Sequence, residues 1–160
     1  MTAFHSLFPE LAQREVRCIH VLPDADAKPD PNSPDNQFHC IEFFCEDLAC
    51  DCRRAFIQIT EAGGEQRVMA SINVGWEKEE FYNKKMPWEP GVGREIVKGT
   101  LDPLNEQSDE AEEFLDIFRR IVLDEPYRLR LRRHAKLFRE ELARRLTPAK
   151  SGDGCGPAAS

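Results

Sequence analysis

From residue 37 to residue 74 the chain repeats one pattern three times, and that repetition limits its fold more than any other feature. Gln37 to Phe44 puts Phe38, Cys40, Glu42 and Phe44 on one face and His39, Ile41 and Phe43 on the other, the period of two that an extended strand requires. Arg54 to Thr60, with Phe56, Ile57 and Ile59, and Gln66 to Val74 read as further strands, and Gly63-Gly64 between them offers a turn tolerant of positive φ. Upstream, Glu15 to Leu22 alternates Val16, Cys18, His20 and Leu22 with Arg17, Ile19 and Val21. Residues 23–36 hold four prolines and no large apolar side chain, so they form an exposed connection. The expected sheet is a small antiparallel meander of about four strands.

Beyond the strands the period changes. Ser108 followed by Asp109 and Glu110 supplies a hydroxyl and two acids for a helix start. Phe114, Ile117, Phe118, Ile121 and Val122 then recur at three and four, which predicts a helix buried along one face. Pro126 suits the first turn of a second helix, running to about Leu146 with Tyr127, Leu131, Ala135, Phe138 and Leu142 inward. Gly75 to Gln107 scatters Trp76, Phe81, Tyr82, Met86 and Trp88 among charges and prolines and reads as a long irregular loop whose aromatics lid the sheet. Gly99 to Gln107 has turn chemistry without phosphate-loop spacing. The fold class is therefore α+β: a single domain over 1–146, with two C-terminal helices packed on the sheet and a disordered tail over 147–160.

A length of 160 residues, with 41% hydrophobic and 32% charged, is enough for one core without disulfide staples. The N-terminus has no basic start or apolar stretch of a secretory signal, and no window approaches a membrane span. These features predict a cytoplasmic protein. Charge is unevenly placed. Residues 126–150 carry nine Lys and Arg against two Glu, whereas residues 1–125 carry 13 basic and 26 acidic side chains. The basic helix is expected to answer the acidic remainder of its own fold, with nucleic acid the less favoured partner.

In a reducing compartment the six cysteines are thiols or metal ligands. Cys45, Cys50 and Cys52 fall within eight residues, where the second strand must reverse into the third. Their spacing can be closed by a turn around a zinc ion, whose ligands converge at about 2.0–2.3 Å. A fourth ligand is harder to find. An extended strand rises about 3.3 Å per residue, so Cys40 lies about 16 Å and His39 about 20 Å from the cluster. Strand pairing sends His20, and with it Cys18, to the opposite end of the sheet. The remaining candidates are His134, carried on the last helix, then Asp51 or a water, then His5. His134 equally fits a hydrogen-bonded histidine at the edge of the core. Iron–sulfur chemistry asks for a fourth thiolate, and a nucleophilic Cys50 or Cys52 would have the charges of Arg53 and Arg54 opposed by Glu46, Asp47 and Asp51. Cys155 in the tail reads as a bystander.

Phe43-Phe44-Cys45-Glu46-Asp47-Leu48-Ala49-Cys50-Asp51-Cys52-Arg53-Arg54, Leu101 to Ser108, and Arg132-Arg133-His134-Ala135-Lys136-Leu137-Phe138-Arg139 together resemble a group of small uncharacterised bacterial proteins. The resemblance spans roughly residues 15–146. It implies no activity, but it implies that His134 belongs to the same pattern as the cysteines. Three functional readings follow. The leading one is a zinc-stabilised binding or adaptor domain with a protein partner. A metalloenzyme would use three protein ligands, a bound water and a nearby acid, Glu46, Asp47 or Asp51, although no His-Glu-x-x-His, deaminase or hydrolase signature is present. Nucleic-acid binding would use Arg128, Arg130, Arg132, Arg133 and Lys136, which point around the helix rather than along one stripe.

Overall fold

The computed structural model describes residues 1–21, 36–63 and 67–147. Residues 22–35, and with them nearly all of the 23–36 connection, Gly64 of the Gly63-Gly64 turn and the tail after Thr147 lie outside the described residues. Strands β1 (Thr2–Ala3), β2 (Arg17–His20), β3 (Gln37–Phe44), β4 (Arg54–Glu61), β5 (Val68–Gly75) and β6 (Thr100–Leu101) form one antiparallel sheet. Both β1 and β2 pair with the same edge of β3, and β4, β5 and β6 follow on the other side. The meander is as the alternation predicts. The sheet nevertheless has six strands rather than about four, because β1 and β6 are only two residues long and carry no readable period.

One face of the sheet makes the core. Register sets Cys40 against Ile59 and Ala70, and Glu42 against Ile57 and Ile72, so these side chains point the same way. Over them lie α4 (Ala111–Ile117) and α5 (Glu125–Leu146); Tyr127, Leu131 and Phe138 of α5 and Phe118 just after α4 are fully buried. Three further helices, α1 (Pro9–Glu15), α2 (Glu79–Lys85) and α3 (Val92–Lys98), were not legible as periods. At seven residues each they are too short to show a full apolar stripe. The segment expected to be one irregular loop therefore contains α2, α3 and β6, and Tyr82, Val92 and Ile96 form a small second cluster there. Gln107 stands in for a further strand residue, its side chain accepting from the Ser71 amide and donating to the Ser71 carbonyl at 2.9 Å each.

Ile121, expected inside, is 71% exposed. Residues Phe118–Val122 form a π turn closed by Leu123 N–H donating to the Phe118 carbonyl at 2.8 Å. A wider turn shifts the phase of the side chains, so Phe118 and Val122 stay buried while Ile121 swings outward.

The start of α5 is fixed by Asp124, which accepts from the Tyr127 amide at 2.7 Å and from Arg17 at 2.8 Å. The Tyr127 amide, and then Arg17, hold the Asp124 carboxyl below its ordinary range. Because the folded value is depressed, this contribution to stability is present above the unfolded pKa of about 3.9 and is lost as the pH falls through the folded value. Asp124→Ala is expected to cost about 1–2 kcal/mol in denaturant melts at neutral pH. The penalty should shrink as melts are repeated toward pH 3.

Candidate metal centre

Antiparallel pairing of Phe43 with Phe56 leaves residues 45–53 to turn the chain from β3 into β4. Cys45 follows the last residue of β3 directly, and Cys52 precedes β4 by two. Between them Asp47 builds a tight turn, its carbonyl accepting from the Cys50 amide at 3.1 Å and its carboxylate from the Ala49 amide at 2.8 Å. The three sulfurs lie within 4.8 Å of one another and are partly buried. Tetrahedral zinc with bonds of about 2.3 Å needs sulfurs about 3.8 Å apart, so a small adjustment of three side chains would seat an ion. Cysteine is a donor set suited to zinc and other soft metals.

Two features hold the turn open toward such a site. Arg53 is the one non-glycine residue at positive φ (46°) among the described residues, a conformation that L side chains adopt at a cost. It is fixed there by Asp51 at 2.7 Å and Glu77 at 3.3 Å, by the Phe81 ring 4.7 Å below its guanidinium, and by the Tyr82 hydroxyl, which donates to its carbonyl at 2.7 Å. Tyr82 can reach only because Gly75 lacks a side chain; a Cβ at residue 75 would clash with the Tyr82 hydroxyl and the ring carbon that bears it. From the other side Arg139 on α5 donates to the carbonyls of Cys50 (2.8 Å) and Leu48 (2.6 Å). Sequence periodicity placed Arg139 off the buried stripe and gave no hint of this clamp. Its only signal is position, one turn beyond Ala135 on the helix face that reaches the cysteines.

Cys45, Cys50 and Cys52 are brought together as the spacing predicts, and Cys40 and His39 stay on the extended strand. Burial pushes the Cys40 thiol up to about 12, which leaves it a small core residue. The expected fourth ligand is corrected. His134 does not join the cysteines, because both ring nitrogens are engaged elsewhere: Nδ1 lies 2.6 Å from Glu42 and Nε2 3.0 Å from Glu15. Phe4 stacks on the ring at 4.1 Å and 8°. His5 lies beside this second cluster, and the Asp51 carboxylate is taken by Arg53 and Lys85. The signal for the His134 pairing was Glu42, an acid on the otherwise apolar face of β3 that burial obliges to find a partner.

His134→Ala should destabilise the fold by about 3–5 kcal/mol, since it leaves the buried Glu42 carboxylate without its partner, yet metal bound per folded chain should not change. Gly75→Ala should cost about 1–3 kcal/mol through overpacking and, by displacing Tyr82, should weaken metal binding at the cysteines in a competition titration. Comparison with protein-family models, curated proteins and solved structures finds no match for this chain.

Proposed function

We propose that the chain is a zinc-stabilised binding or adaptor domain, in which Cys45, Cys50 and Cys52 hold the ion and the ion fixes the β3–β4 turn beneath α5. The observation that carries this reading is the convergence of three sulfurs within 4.8 Å at a turn that strand and helix contacts already shape. A catalytic role finds less support in the surroundings. Of the acids that could activate a bound water, Asp51 is ion-paired to Arg53 and the Asp47 carboxylate caps its own turn, which leaves Glu46 as the one without an ion pair among the described residues. Nucleic-acid binding is disfavoured by how the α5 arginines are used. Arg128 donates to the Gly75 and Val97 carbonyls, Arg130 and Arg133 engage Glu15, and Arg139 holds the cysteine turn. The binding surface for a protein partner would include Trp88, which is 75% exposed on the turn between α2 and α3; exposed tryptophan is enriched among residues that anchor interfaces.

Elemental analysis of purified protein should return one zinc per chain. Chelation should lower the Tm by about 5–10 °C. Cys45→Ser, Cys50→Ser and Cys52→Ser should each lose the metal and show no further response to chelator. Metal-free protein with an unchanged melt would overturn the reading.

A further inference from the structure

The cysteine turn opens on a surface cleft of about 480 Å³ whose other wall is α5. Among the described residues no fourth Cys, His, Asp or Glu joins the three sulfurs. The acids on the cleft are committed elsewhere: Asp51 and Glu77 to Arg53, Glu140 to Lys136 at 3.8 Å. Its cations are more numerous, with Arg53, Arg54, Arg132, Lys136 and Arg139 all on the lining. Arg139 is spent on backbone carbonyls. Arg54 shares the opposite face of β4 with Phe56 and acts on Asp102 there, whereas Arg132 on α5 makes no salt bridge among the described residues. One uncommitted guanidinium group, that of Arg132, thus shares a cleft with a three-cysteine metal position.

Three thiolates around a divalent ion leave one net negative charge, so a fourth anionic ligand is tolerated only where positive side chains offset it. Guanidinium groups also match a carboxylate through paired N–H donors. We propose that the fourth ligand of the metal at Cys45, Cys50 and Cys52 is a carboxylate from outside the chain, received in this cleft by Arg132. This rests on the zinc reading above and extends it from a structural ion to a ligand-accepting one. No bond is made or broken beyond the exchange of a water for a carboxylate oxygen on the metal.

Cobalt(II) in place of zinc gives visible bands that report the ligand set. In the full-length cobalt protein, acetate should shift these bands saturably while chloride at equal concentration should not. Arg132→Gln should raise the half-saturating acetate concentration about tenfold, with cobalt stoichiometry unchanged. Bound cobalt that ignores acetate, or a response equally strong in Arg132→Gln or equally produced by chloride, would overturn the proposal and leave the metal site intact. A response that emerges only in Cys155→Ser would also overturn it, because the fourth ligand would then be the chain's own thiol. Failure to bind cobalt at all would instead overturn the zinc reading.

Discussion

The structure depends on a histidine buried between two acids. His134 is 1% exposed, yet each ring nitrogen meets a carboxylate, Glu42 from the middle of the sheet and Glu15 from the end of α1. Ionised acids can only accept, and a neutral imidazole has one N–H. A ring N–H directed at Glu42 leaves Nε2 beside Glu15 and 3.4 Å from an Arg133 N–H that can donate to it. Arg130 and Arg133 close it from outside by engaging Glu15, and Phe4 covers the ring. N-terminal segment, central strand and last helix are thus joined through a cluster whose inner pair, His134 and Glu42, is buried, which makes their arrangement specific rather than merely stable.

The cysteine turn sits three residues along β3 from Glu42 and inherits its position from that anchor. With α5 seated by His134, Arg139 reaches the Leu48 and Cys50 carbonyls, and with the sheet register fixed, Tyr82 reaches the Arg53 carbonyl through the space left at Gly75. The turn is thereby held in a backbone conformation it would not choose alone, with Arg53 at positive φ. Strain of this kind persists where surrounding contacts over-determine it, and here those contacts come from β5, α2 and α5 together.

Much of this was legible in sequence because period and spacing report local geometry. The alternation gave β3 with its bounds intact and β4 to within a residue, and Pro126 marked the start of α5. The three cysteines declared themselves by proximity. What period could not report was pairing at a distance. The two-residue strands, the three seven-residue helices and the π turn that exposes Ile121 all arise from tertiary contacts on segments too short to carry a pattern. The same limit explains His134. Its place beside the helix stripe was visible, but choosing between the cysteines and a carboxylate required knowing which part of the sheet it would face. Glu42 on an apolar face was the available clue.

On α5, His134 and Ala135 are neighbours that project about 100° apart. The first enters the carboxylate cluster, while Ala135, with Arg139 one turn on, lies over the cysteines. One rigid rod is thereby keyed at two stations along β3. Contacts at the two stations, His134 to Glu42 and Arg139 to the Leu48 and Cys50 carbonyls, thus fix both where α5 sits along β3 and which way it faces.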